Sequence, residues 1–339
     1  MGEEATRGEL EKPCEKIEKL RVYLGPHTCA SRCESPFSSL HCGFRSDHGT
    51  EPSSSCRSVD VENQDRAAVC CTADRAVFLG VFDGHGEHGG GVSSFVSECL
   101  AGLFGGCTST SAGDHADIML RFSECNELLR RSAVPSDYSG TTAIVALLAS
   151  GHLRVACVGD SRCVLGSSLP AIPMVARRWP CRRRQPRWFA TELSEDQKAS
   201  LASERARLIS CGGHVWGAEG RAERVWARDA STGEFFGGLV MSRALGHHSL
   251  EPAGVIAQPV VVERSLTASD RCLILASDGV WDMLSSTEAV ALCERHCPDS
   301  TAACRAIIRL TKTRCAATSA GQGRDDTSAI VVYLPLVVP

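Results

Sequence analysis

The sequence predicts an α+β fold, and three observations carry that reading. Short apolar runs bounded by Gly, Ser and Asp mark strands over residues 76–82, 143–149, 153–158, 271–276 and 328–334, with Ser150-Gly151 turning the second into the third as a β-hairpin. Apolar residues at helical spacing over 92–104, 116–129, 194–211, 287–297 and 302–315 mark helices, with Ser194 the expected N-cap of the third. Carboxylates stand where several of these strands begin or end, so chemistry is expected at an edge of the sheet structure.

Size and charge bound the rest. The chain has 339 residues, 43% of them hydrophobic, enough for a sizeable core. A net charge of −4 provides no global basic field, so nucleic acid is not the expected partner. No apolar run approaches the roughly 20 residues that span a bilayer, and the expected location is cytoplasmic, or nuclear if the arginine run at 177–187 serves as an import patch. The 19 cysteines are odd in number and sit largely inside apolar patterns, as at Cys157, Cys163 and Cys272, which favours buried thiols over a disulfide framework. Cys29 and Cys33 beside His27 and His41, or Cys293 with Cys297, lack the paired CxxC spacing of a zinc site.

From the N-terminus, MGEEAT matches a myristoylation pattern at Gly2, but Glu3 and Glu4 follow and no basic segment supplies a second anchor. Membrane association is expected only if Gly2 is acylated. Residues 1–56 form a lead-in expected to be partly disordered, and the main domain runs from 57 to 335. Within it, residues 170–190 combine four prolines with six arginines and two tryptophans, an exposed insert with an RNA-binding reading as the lesser alternative. Residues 212–238 are polar and glycine-containing, suited to a flap.

The acids are the informative residues. Asp65, Asp83, Asp160, Asp278 and Asp325 each lie at a strand edge, all but Asp65 beside Gly or Ser or within two residues of one, and clustered carboxylates repel unless cations neutralise them. Oxygen ligands, with a carbonyl such as that of Gly84 freed by its glycine-rich loop, suit Mg²⁺ or Mn²⁺ rather than zinc. Two such ions about 4 Å apart activate a water for in-line attack on a phosphate ester. His85 would protonate the departing alkoxide, and an arginine would hold the phosphate.

Taken as an ordered set, NQD (63–65), VFDGHGEHGG (81–90), SGTTA (139–143), VGDSR (158–162), LVMSRALG (239–246), ASDGVWDML (276–284) and GRDDTSAIVV (323–332) resemble the motif series of the metal-dependent protein phosphatases, the type 2C serine/threonine family. The resemblance implies a four-layer α-β-β-α sandwich, two antiparallel sheets flanked by helices, with two Mn²⁺ or Mg²⁺ ions at one end and a weaker third in several members. It makes Asp83 the bridging ligand and Gly84 a carbonyl ligand. Asp278 and Asp325 complete one metal, and Asp65 and Gln64 act through coordinated waters. His85 is the general acid, and Asp160 and Asp282 join Asp278 at the third metal. It also implies phosphoprotein substrates, and the expected state is monomeric.

Three departures matter. Gln64 stands where Glu is common. The phosphate-binding Arg position is Asp60, leaving Arg57 as the nearest candidate, and His247 replaces the Asp common after the SRA segment. The alternative reading is a pseudophosphatase that keeps the fold and serves as a scaffold. A metallophosphoesterase of another fold would need GNHD or GNHE motifs, which are missing.

Overall fold

The computed structural model describes residues 21–24, 41–47, 50–51, 59–60, 62–71, 76–105, 114–168, 188–318 and 325–334. Gly2, Cys29, Cys33, Arg57 and the arginines of the insert lie outside the described residues.

Two antiparallel sheets face each other. The first has six strands in the order Arg21–Leu24, Arg66–Cys71, Val77–Phe82, Ala143–Ala149, His152–Val158 and Val260–Ser265. The second has five, Trp188–Glu192, Arg162–Ser168, Asp270–Ala276, Thr327–Tyr333 and His41–Asp47. Side chains alternate across a strand, so Leu79 and Val81 point between the sheets while Phe78 and Phe82 point outward. The inward set packs on Leu165, Leu273, Leu275, Ile330 and Val332 of the other sheet. The outward set is covered by the helices Gly89–Gly105 and His115–Arg131. The second sheet is covered by Ser286–His296 and Ser300–Thr318. Four layers result, as the resemblance implied.

Local chemistry sets the helix ends. The Asp114 carboxylate accepts the Asp117 N–H at 2.7 Å, and Ile118, Phe122, Cys125 and Leu129 then recur on the buried face. Ser285 and Glu288 make a reciprocal capping box at the start of Ser286–His296.

Two expectations need correction. The lead-in does not extend to residue 56, because His41–Asp47 is an edge strand in register with Thr327–Tyr333, and Phe44 is 2% exposed in the core between the sheets. Its signal was muted because the strand carries Cys, Gly, Arg and Ser in place of β-branched residues. A side chain at Gly43 would put Cβ 2.5 Å from the backbone of Ser300, so the glycine allows the covering helix to approach directly. Ser194 caps no helix: the helix begins at Ala202, and the Ser194 hydroxyl accepts the Cys163 N–H at 3.0 Å. The segment 212–238 is largely ordered as a three-stranded sheet, His214–Trp216, Arg224–Arg228 and Phe235–Leu239, packed through Val215, Val225 and Leu239 on a core of its own.

Buried thiols are found at Cys70, Cys125, Cys157, Cys163, Cys272, Cys293, Cys304 and Cys315, whereas Cys71 is in a disulfide. No helix among the described residues is long and apolar enough to cross a membrane.

Candidate metal centre

Asp83 follows the strand Val77–Phe82, and the chain then makes a two-residue strand, Gly84–His85, beside Gly140–Thr141. The Asp83 backbone is locked in place. Its carbonyl accepts the Thr142 N–H at 2.9 Å and the Thr141 hydroxyl at 3.0 Å, and its N–H donates to the Thr142 hydroxyl at 3.1 Å. Gly84 is required by close backbone approach, since a Cβ there would lie 2.5 Å from the Gly89 carbonyl oxygen and 2.7 Å from that of Gln64.

Asp65 enters from the neighbouring strand, 2% exposed. One carboxylate oxygen accepts the Ser277 hydroxyl at 2.9 Å. The Ser277 oxygen in turn accepts the Ser328 N–H at 3.0 Å, the Ser328 and Ser46 hydroxyls meet at 2.7 Å, and Asn63 donates to Ser46 at 2.8 Å while accepting the Asp65 N–H at 2.8 Å. This closed ring ties both sheets to the acid. Gln64 is held through its nitrogens: its side-chain amide donates to the Gly86 carbonyl at 3.1 Å, and its backbone N–H donates to the Asp326 carboxylate at 2.7 Å.

Asp160 lies in the turn after His152–Val158, fully buried, and the turn is clamped by Gln197, which accepts the Gly159 N–H at 2.8 Å. Asp278 opens the single helical turn Asp278–Trp281, and Asp282 follows on the exposed side. Asp325 is exposed at the rim.

The electrostatics show that these acids share one neighbourhood. Asp83 is pushed well above the usual carboxylate range by burial first, then by the charges of Asp65, Asp278, Asp325 and Asp160. Burial, with Asp326 close by, lifts Asp65 to about 7. Burial lifts Asp160 to about 6 against the pull of Lys198. Burial and the charge of Asp160 raise Asp278. One oxygen of Asp65, one of Asp278 and both of Asp160 are buried without a hydrogen-bond partner. Buried carboxylates in that state require cations, so the residues present fit divalent metal. Among the described residues no group of three or more His, Cys, Asp or Glu side chains is placed to hold a metal ion by itself. A centre here would complete its coordination with the Gly84 carbonyl and water, as Mg²⁺ sites do.

Three neighbours had no site role assigned from the sequence. Lys198 places its ammonium 3.7 Å from Asp160 and 3.9 Å from Asp282, inside a stretch expected to be plain helix. Ser277 holds Asp65 from across the sandwich. His247 stacks on His85, the ring centroids 4.8 Å apart and the planes 10° from parallel. Burial, then the charge of His247, pushes His85 down to about 3, well below the ordinary imidazole value expected from sequence.

Residues 43–322 match the family model for protein phosphatase 2C. The chain is 32% identical over 297 residues to the probable protein phosphatase 2C 48 of Oryza sativa subsp. japonica, covering 80% of each chain. It is 30% identical over 304 residues to the probable protein phosphatase 2C 73 of Arabidopsis thaliana, covering 80% of this chain and 75% of the other. Its fold matches the crystal structure of a serine-threonine phosphatase 2C from Toxoplasma gondii with a TM-score of 0.67 at 21% identity, over 93% of this chain and 99% of that one. The chain belongs to the protein phosphatase 2C family, and with that membership it is a protein serine/threonine phosphatase.

Proposed function

We propose that the chain hydrolyses phosphoserine and phosphothreonine in proteins at the acidic end of the sandwich, with two Mn²⁺ or Mg²⁺ ions as cofactors. The observation that carries this reading is the set of buried carboxylate oxygens of Asp65, Asp160 and Asp278 left without partners around Asp83. Asp83 would be shared between the ions, with the Gly84 carbonyl, Asp278 and Asp325 as further ligands and Asp65 and Gln64 holding their water. Such a pair supplies a nucleophile at neutral pH and positive charge for the phosphoryl oxygens.

The protein's own part is positioning. The Thr141 and Thr142 contacts fix the Asp83 backbone, and the serine ring fixes Asp65, so neither acid has to reorganise as charge builds on the phosphate. His85, one residue beyond Gly84, donates its proton to the serine or threonine oxygen as it leaves. Burial lowers its proton affinity, and a substrate phosphate beside it would raise that affinity again. Asp160, Asp278 and Asp282 would hold a weaker third ion, and the Lys198 ammonium beside Asp160 and Asp282 would compete with it. In this reading the enzyme is a monomer of the cytoplasm or nucleus.

One observation favours the scaffold alternative: Asp60 occupies the position from which an arginine would grip the phosphate. Release of phosphate from a phosphothreonine peptide, measured with Mn²⁺, Mg²⁺, Ca²⁺ or EDTA beside Asp83→Ala, decides between them. Turnover that needs Mn²⁺ or Mg²⁺ and is lost in the variant supports the enzyme. No turnover in folded protein makes the scaffold the function.

A further inference from the structure

His247 is held in an unusual state for a purpose that the fold alone does not require. Its backbone is left-handed, with φ of 47°, a conformation that non-glycine residues adopt seldom and at a cost. Its N–H donates to the Ser139 carbonyl at 2.9 Å, its ring is buried at 8% exposure, and its Nε2 has no hydrogen-bond partner. By hydrogen-bond geometry both ring nitrogens of His85 also lack partners, and the Asp83 backbone nearby only opposes the fall in its proton affinity. The adjacent His248 also leaves its Nε2 without a partner, but its Nδ1 meets the Glu251 carboxylate at 3.1 Å.

Three short strands bring the two rings together. Gly84–His85 pairs with Gly140–Thr141, which pairs on its other side with Leu245–Gly246, so Gly140 lies between His85 and the residue before His247. A Cβ at Gly140 would stand 2.6 Å from Cδ2 of His247 and 3.0 Å from Nε2 of His85. The gap left by that glycine is the space in which the parallel rings fit. A side chain with no hydrogen bond to orient it would sample both faces of its χ2 well. A flat neighbour 4.8 Å away removes that freedom.

We infer that His247 is a positioning residue for His85: its ring face fixes the plane of the His85 imidazole, so that a ring nitrogen is aimed at the leaving oxygen of the substrate. The inference rests on the proposed acid role of His85. An imidazole does this where the Asp common in the family could not stack.

The test pairs two variants. His247→Asn keeps a residue tolerant of the left-handed backbone but removes the ring, and His247→Phe keeps a flat ring without nitrogens. Turnover of the Mg²⁺-loaded enzyme is measured on a phosphothreonine peptide and on p-nitrophenyl phosphate, whose good leaving group needs little acid. The ring-proton resonances of His85 are followed by NMR in the same proteins. His247→Asn is expected to lose about tenfold in kcat on the peptide, part of the ~10²–10⁴ a positioned acid supplies, with a smaller loss on p-nitrophenyl phosphate and a downfield move of the His85 signals. His247→Phe is expected to recover most of the peptide turnover and the upfield His85 shift. Equal losses on both substrates, a phenylalanine no better than asparagine, or unmoved His85 signals would overturn the inference. If the wild type turns over neither substrate, the phosphatase reading has failed, and the NMR comparison still decides whether His247 holds the ring.

Discussion

Two buried acidic regions of this molecule have opposite chemistry. Glu204, on the helix Ala202–Ser210, is 4% exposed, yet it accepts hydrogen bonds from Arg243 at 2.9 and 2.7 Å and from the Ser242 hydroxyl, and pairs with Arg207 at 2.7 Å. Burial raises its proton affinity, but the hydrogen bonds from Arg243, Ser242 and Arg207 outweigh it and hold Glu204 at about 2. Asp83, Asp65, Asp160 and Asp278 are raised instead, because burial is compounded by the charge of neighbouring acids, Asp326 beside Asp65 and Asp196 beside Asp160 among them. A carboxylate wrapped in guanidinium has its counter-charge built into the chain and acts as structure. A cluster left bare must obtain its charge from outside.

The largest effect that could break this comparison is at Asp83. Asp83→Asn is expected to lower kcat on the order of 10³-fold or more, the scale of losing several kcal/mol of metal charge stabilisation. The same variant, melted in EDTA, is expected to be more stable than wild type, because it deletes a charge that Asp65, Asp278, Asp325 and Asp160 all oppose. Lower stability in EDTA would mean that Asp83 holds the fold together as Glu204 does. Glu204→Ala should do the reverse. Removing the acid strands Arg243 and Arg207 around a buried gap, at a cost of about 3–5 kcal/mol, while turnover per folded molecule changes little. A thermal melt and an activity assay on the folded fraction check both halves.

The two regions also answer pH with opposite sign. A carboxyl whose folded proton affinity is raised binds its proton more tightly in the native state, so the stability it contributes is complete below the unfolded value and is lost as pH rises through the folded one. For Asp65 and Asp160 that window runs from about 4 up to about 7 and about 6. Glu204 is depressed, so its contribution is complete above its unfolded value and is lost only as pH falls towards about 2. Metal-free protein is therefore expected to melt about 2 °C lower at pH 8 than at pH 5, a shift of one to two kcal/mol at this size. Added Mn²⁺ should raise the melting temperature more at pH 8 than at pH 5. A flat profile in EDTA would place the acids too far apart to feel one another.

Much of the bare cluster was legible in the sequence because the need for metal left a pattern there. Asp83 and Gly84 stood out through a glycine run after an apolar strand, and Asp278 through the turn that follows Asp270–Ala276. Asp160 was readable from its Gly-Asp-Ser turn. The supports were not legible, since each comes from a distant strand with an ordinary residue: Ser277 reaches Asp65, and Ser46 reaches its neighbour Asn63, only once the second sheet has closed on the first. Ser46 was hidden further because its strand lacks β-branched residues. Lys198 was missed because the spacing of 194–211 satisfies a helix, whereas residues 193–201 are held by Gln197 bonds to Gly159 and to the Cys157 carbonyl, which no local pattern encodes. The residue assigned to grip phosphate, Arg57, lies outside the described residues.

Lys198 stands between the two extremes and sharpens the contrast most finely. Its ammonium lies 3.7 Å from Asp160 and 3.9 Å from Asp282, too far for a good hydrogen bond but close enough to pull Asp160 down against its burial. It neutralises part of that pair without satisfying either oxygen of Asp160, both of which lack hydrogen-bond partners. If a weak divalent ion binds there, the lysine is its competitor, and its charge raises the free energy of the bound ion. Lys198→Gln is then expected to tighten the weakest Mn²⁺ site about three- to tenfold, in keeping with a partly screened charge a few ångströms away. It should change the tighter sites little and lower the metal-free melting temperature slightly, since Asp160 loses its only nearby cation among those that shift it. Titration of Mn²⁺ followed by paramagnetic resonance reads all of the sites together. A weaker or unchanged third site would mean that the lysine helps to build the centre, and Asp160 would then belong with Glu204 among the acids that the chain satisfies for itself.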